Sequence, residues 1–312
     1  MTTASTTTAV DPAVTLEKRG RPPRAKVRMK SFYPSWFFVP AIVLYVVFFA
    51  LPTFASFYFS LTRWSLFDVH FIGFDNYVEF FRDPQLVNGF VHTLEYGFVT
   101  SAAKVVLGLL LALLLTGPVL GRGYLRAVVF FPVLVSTIGV GIVFKNLLDP
   151  FHGMVNAVLG FFHLPQPGWF TDPKLALLTI AGVDIWKGVG IATLIFMAGI
   201  VAIPSDYYEA ARIDGSGSWN IFRSITLPLV RPAMGTVIIL YLIGGLRSFD
   251  LIWATTGGGP GFTSDVIASV IYKEYQAGFY GLSTAGNVIL FLVVTIIMLP
   301  LSTLLNRKQV QL

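Results

Sequence analysis

The sequence predicts an all-α membrane protein with six transmembrane helices. Three observations lead there. Hydrophobic residues make up 55% of the chain against 12% charged, and mean hydropathy is +0.73. The apolar residues also gather in runs of about 20, the length that crosses roughly 30 Å of hydrocarbon as a helix. Lipid offers no partner to an unpaired backbone N–H or C=O, so each spanning run has to be helical. The runs fall near 36–60, 92–116, 127–148, 176–202, 233–255 and 284–306. With no cysteine among 312 residues, neither disulfides nor thiolate metal sites are available, and helix packing in lipid has to supply the stability.

The flanks differ in kind from the 36–306 transmembrane domain. Residues 1–35 open with Thr, Ala and Pro and continue through Lys18, Arg19, Arg21, Arg24, Lys26, Arg28 and Lys30, which predicts a disordered basic tail. A cleavable signal peptide needs a short apolar core, whereas the run from Trp36 to Ser60 is long enough to span and is expected to stay as the first helix. A short tail, 307–312, closes the chain. If the basic N-terminal tail is cytoplasmic, the inner segments also hold Arg122, Arg126, Arg212, Arg223, Arg231, Arg307 and Lys308. The outer segments hold only Arg63, Arg82, Lys174 and Lys273. That asymmetry places both termini and the 203–232 loop in the cytoplasm of a bacterial cell. The net charge of +6 therefore reads as topology setting rather than as a nucleic-acid surface.

No internal repeat is visible, which argues against transporters built from duplicated halves. The outer stretch 61–91 is aromatic, with Trp64, Phe67, Phe71, Phe74, Tyr77, Phe80 and Phe81, and reads as an interfacial belt ahead of a docking surface.

The 203–232 loop is too polar to span and too ordered in pattern to be a plain linker. Pro204 and Ser205 can start a helix with Asp206 in its first turn, and Gly215 and Gly217 can end it after about two and a half turns. A second short helix can begin at Ser218, with Trp219, Phe222 and Ile225 on one face. Pro228 is expected to push Leu227 out of helical conformation and stop it there. Such a compact knuckle suits a groove on another protein, or else the lipid headgroups.

Glu209, Ala210, Ala211, three residues, Gly215, nine residues, then Ile225, Thr226, Leu227 and Pro228 resemble the EAA loop of binding-protein-dependent ABC permeases. Asp214, the run Gly257 to Pro260, the triplet Gly121, Arg122, Gly123 and the run Trp169 to Pro173 are similar to the carbohydrate, maltose-type branch. The resemblance covers 36–306 and implies a type I ABC importer permease fold with a cytoplasmic coupling-helix loop. It also implies a second homologous permease subunit, two copies of a cytoplasmic ABC ATPase and an extracytoplasmic solute-binding protein. ATP and Mg would then reside on the ATPase, with no cofactor on this chain. Glu209 would make the charged ATPase contact and Gly215 the sharp bend, with Ala210, Ala211, Asp214, Ile225, Leu227 and Pro228 completing the coupling element.

A charge at mid-bilayer costs roughly 2.5–3.5 kcal/mol on insertion scales, so it must face protein or water. Asp184 and Lys187 lie three apart on one face of the fourth span, beside Trp186 and Gly188. They read either as a mutually neutralising pair or as a sugar-facing patch of donors, acceptors and an aromatic face. The resemblance aligns Asp184, Lys187, Gly188 and Ile191 with a substrate pathway, and Tyr241, Gly245 and Ser248 on the fifth span as companions. Lys104 needs a carboxylate on another helix or subunit, or else lines the pathway, while Lys145 and Arg247 are placed to snorkel.

His70, His92, His152 and His163 show no zinc spacing. The Gly257–Gly261 run lacks the Lys and Ser/Thr of a phosphate cradle and reads as a turn, and no nucleophile elbow is visible, so ATP hydrolysis is not expected on this chain. The expected function is ATP-coupled import of a sugar, with a glycerophosphodiester or polyol as alternative. A proton-coupled exchanger relaying through Asp184 and Lys104 leaves the EAA pattern without a role.

Overall fold

The computed structural model describes residues 35–306 apart from Leu66, so the basic tail up to residue 34 and the 307–312 tail lie outside the described residues. The chain divides into two units, Met1–Phe49 and Ala50–Leu312. In the first, α1 (Val39–Tyr45) follows a 3-10 turn at Ser35–Phe38, and the Tyr45 and Phe49 rings stack at 5.0 Å.

The second unit begins with α2 (Leu51–Phe59) and an antiparallel hairpin of β1 (Thr62–Trp64) and β2 (Val69–Phe71), registered Thr62 to Phe71. Next come α3 (Asp75–Arg82) and α4 (Pro84–Thr116). The long apolar runs 122–147 and 218–246 are each a bent pair. The first joins α5 (Arg122–Leu134) to α6 (Thr137–Leu147) at 100°, and the second joins α10 (Ser218–Leu229) to α11 (Arg231–Leu246) at 65°. Between them lie α7 (Met154–Phe161), α8 (Ala176–Val201) and α9 (Ser205–Ile213). The chain ends with α12 (Asp250–Thr255), α13 (Ile267–Gln276) and α14 (Tyr280–Asn306). Among the described residues four helices are long and apolar enough to span, Trp36–Phe59, Pro84–Thr116, Ala176–Val201 and Tyr280–Leu305, and the number reaches six where each bent pair counts as one span.

Several expected boundaries move, each for a local reason. The second span starts at Pro84, not 92, because Asp83 caps it: its Oδ1 accepts the Gln85 N–H at 2.7 Å with Pro84 in the first turn. The third is broken rather than straight. Pro132 withdraws a backbone donor from the last turn of α5, Val135 is extended, and Ser136 restarts the chain by accepting the Val140 N–H at 2.9 Å. The fifth ends at Leu246, after Gly244 and Gly245, which are weak helix formers, and 250–255 forms the separate α12. In the 61–91 stretch Phe80 and Asn76 are buried, the Asn76 amide donating to the Ser60 and Thr62 carbonyls at 2.8 Å each, whereas Phe67, Phe71, Phe74 and Phe81 stay exposed. The glycine-rich run is a turn, with positive φ at Gly257, Gly258 and Gly261.

Three helices form the centre. α4 and α8 run parallel, since Gly188 packs on Lys104 and Gly108 on Ala192. α11 runs against both, with Gly245 at Gly97 and Ala233 at Gly199. Ala112, Ala192, Phe196, Val230, Val237 and Tyr241 fill the space between them at one end. Toward the other end, Tyr96 of α4 and Ile180 and Val183 of α8 pack with Val140, Leu251, Ile252 and Val266 of the neighbouring elements. Small residues let the backbones approach where lipid supplies no hydrophobic drive between helices.

A Cβ at position 108 would stand 2.5 Å from that of Ala192. Gly108→Val is therefore expected to insert normally but to lower stability by about 1–3 kcal/mol, as overpacking does. Thermal unfolding of the purified complex checks this, and an unchanged midpoint refutes the packing assignment.

Candidate functional site

A polar cluster sits where the three central helices meet. The Lys104 ammonium on α4 donates to Asp184 Oδ2 on α8 at 2.7 Å, with side chains only 5% and 23% exposed. It also lies 4.9 Å from the centre of the Tyr241 ring on α11, within cation–π range. The Tyr241 hydroxyl donates to the Gly188 carbonyl. One ion pair and one hydroxyl thus tie three helices together. Of the two readings of Asp184, the mutual pair with Lys187 does not form; the carboxylate is taken by Lys104 on another helix. Lys187 is half-buried, with no carboxylate within 4.0 Å among the described residues.

Tyr96, which the sequence reading overlooked, is 2% exposed. Its hydroxyl lies beside Asp184 and Ser248 without a hydrogen bond of good geometry to either. A lone tyrosine in an apolar run gives no signal of this. The other expected pathway residues divide into two sets. Asp184, Lys187, Tyr241 and Ser248 bring polar or aromatic chemistry to the cluster. Gly188 and Gly245 are packing positions, where a Cβ would meet Lys104 Cε and Gly97 Cα at 2.8 Å, and Ile191 packs against the core around Phe196.

The 203–232 knuckle forms a second candidate surface. α9 starts after Pro204, carries Asp206 in its first turn and closes on Gly215 at φ +75°. The Ser216 N–H bonds the Ala211 carbonyl at 2.9 Å and the Gly215 N–H that of Arg212 at 3.0 Å, a Schellman closure that needs a left-handed residue. Tyr208 turns inward, its hydroxyl 3.3 Å from Thr226 Oγ1, anchoring α9 to α10. Glu209, Ala210, Asp214 and Gly215 face outward, Ala211 is half-buried, and Tyr207, Ile213 and Trp219 are exposed at 49%, 87% and 69%. The exposed Ile213 is an apolar surface residue that sequence reasoning missed.

The expected stop at Leu227 does not occur. Leu227 is helical at φ −63°, ψ −43°, its N–H bonded to Phe222 in a π turn spanning Phe222–Thr226. That wider turn admits Pro228 near the start of the next, and α10 continues to Leu229. Ile225, Leu227 and Pro228 are half-buried and form the link into α11 rather than part of the outward face.

The model of the family described as binding-protein-dependent transport system inner membrane component matches residues 104–311. The chain belongs to this family. It is 35% identical over 258 residues to the trehalose/maltose transport system permease protein MalF of Thermococcus litoralis, covering 82% of this chain and 88% of that one. It is 31% identical over 269 residues to the multiple sugar-binding transport system permease protein MsmF of Streptococcus mutans, covering 85% and 92%. Among solved structures, a bacterial ABC transporter involved in the import of the acidic polysaccharide alginate aligns with a TM-score of 0.78 at 25% identity, over 87% of this chain and 94% of that one. The protein therefore has the type I ABC importer permease fold. It is a membrane transport subunit, not an enzyme.

Breaking the Lys104–Asp184 pair from one side strands a buried charge, which costs about 3–5 kcal/mol, whereas replacing both partners by apolar groups is often neutral. Lys104→Met or Asp184→Leu alone is thus expected to destabilise the permease strongly, and the double variant Lys104→Met/Asp184→Leu to recover most of the loss. Thermal unfolding of the four members of the cycle checks this; additive losses would show that the two side chains do not act as a pair.

Proposed function

We propose that this permease forms half of the membrane path of an importer for a mono- or oligosaccharide, delivered by an extracytoplasmic binding protein and driven by separate ATPase subunits. The observation that carries the substrate reading is the polar cluster between α4, α8 and α11. There the part-exposed Asp184, Lys187 and Ser248 offer the acceptors and donors that a sugar requires, above the buried Tyr96 and Tyr241. The named relatives handle trehalose, maltose and multiple sugars, and the alginate transporter is also known with a pentasaccharide-bound periplasmic protein. Both support the same class. Lys187 and Asp184 are the side chains assigned to solute hydroxyls, with Tyr241 beneath them holding Lys104 in place along the pathway.

In this reading a second homologous permease completes the path, two ATPases bind ATP and Mg, and both termini of this chain are cytoplasmic. The knuckle couples motor to path. Exposed Tyr207, Ile213 and Trp219 flank Glu209 and Asp214 as apolar anchors among charges, the composition of a seated interface. Tyr208 and the rigid run through α10 carry movement from that contact to α11 and so to Tyr241.

Vanadate-sensitive uptake in proteoliposomes tests the reading, with sugar-loaded binding protein stimulating ATP hydrolysis. Uptake that collapses with a protonophore while ATP is maintained would overturn it. Glu209→Lys is expected to leave the protein inserted and ATP hydrolysis present while uptake falls roughly tenfold or more, the effect of losing about 1.4 kcal/mol at the contact. Gly215→Val should behave alike because a β-branched residue is strained at positive φ, whereas Gly215→Asn should retain most uptake. Full coupling in well-expressed Gly215→Val would remove the knuckle from the mechanism.

A further inference from the structure

A cavity of about 320 Å³ lies between α5 and α8 beside the end of α4. It takes no part in the polar cluster. Its walls are apolar, with Ala127, Phe130, Leu194 and Met197, and Arg126 is the one charged residue in its lining. The Thr193 hydroxyl is spent on the Val189 carbonyl at 2.8 Å, so it offers a ligand little. Arg126 donates one Nη2 hydrogen to the Leu115 carbonyl at 2.8 Å. Arg126 as a whole is exposed, with no carboxylate within 4.0 Å among the described residues. Arg122 stands one helical turn earlier on the same face, also exposed and without an ion pair among the described residues.

Location narrows the occupant. α4 and α8 are parallel, so the cavity opens at the end of the bundle that carries the 203–232 knuckle. An apolar chamber with a cationic rim, set in two spanning segments, complements one molecule with an apolar chain and an anionic head. A free anion would satisfy the arginines and leave the chamber unfilled. A zwitterionic lipid would fill the chamber but bring its own cation to the rim.

We infer that this cavity is a specific site for an anionic phospholipid, an acyl chain lying against Phe130, Leu194 and Met197 and the phosphate held by Arg126 and Arg122. Arginine is suited to the task because its planar donors match phosphate oxygens in pairs.

The test uses the assembled transporter in nanodiscs of equal phosphatidylglycerol and phosphatidylcholine, extracted into mild detergent and weighed by native mass spectrometry. Two arginines at the surface predict about a thirtyfold preference for retained phosphatidylglycerol. Arg122→Gln, which breaks no ion pair among the described residues, is expected to cut that preference to about fivefold. Arg126→Gln should remove most of it, and if that variant fails to fold for loss of the Leu115 contact, Arg122→Gln decides alone. Leu194→Trp, filling the chamber with both arginines in place, is expected to abolish retention of either lipid. Equal retention of the two lipids by the unmodified protein overturns the site, as does a preference unchanged in Arg122→Gln. Displacement of the lipid by inorganic phosphate alone would reassign the arginines to a soluble anion.

Discussion

The close approach of α4, α8 and α11 is the constraint on which the rest of this structure depends. In lipid, helices gain little from hiding apolar surface, so contact has to come from backbones brought near enough to interlock and from polar groups that find each other. Gly97 against Gly245 and Gly108 against Ala192 supply the first, and Lys104 with Asp184 the second. The pair is affordable only because the glycines allow the helices to exclude the surroundings. In turn it fixes their register, since a one-turn slip of about 5.4 Å would separate the charges. Asp184, Tyr96 and Tyr241 keep their relative positions for the same reason, so the polar cluster inherits its rigidity from the packing.

The knuckle depends on the same frame. α9 is too short to be stable alone, and its position comes from Tyr208 reaching Thr226 and from the Schellman closure at Gly215. α10 runs on past Pro228 and reaches α11 through a 65° bend at Val230, a residue with no exposure at all. α9 is therefore seated on a packed core that includes Ala233 and Tyr241 rather than carried on a free loop.

Much of this was legible in the residues. The long apolar runs, the α9 helix with its glycine stop, and the need of Lys104 for a distant carboxylate were each written in local composition. What escaped has physical causes. The break at Val135 was not legible because a proline such as Pro132 kinks a helix as readily as it ends one. The partner of Asp184 lies eighty positions away in sequence, and helical spacing points to the neighbour Lys187 instead. Gly188 and Gly245 sit at the expected place yet serve the backbone contacts. Tyr96 and Ile213 carry no periodic signal, since burial of the one and exposure of the other are decided by tertiary packing.

The π turn at Phe222–Thr226 has a geometric result of its own. One surplus residue wound into a helix rotates everything beyond it by about 100° relative to an uninterrupted α-helix. The stripe that begins at Trp219 and the stripe that continues from Leu227 are therefore out of phase. Each can be matched to its own environment, the exposed surface on one side and the bundle on the other, within a single continuous rod.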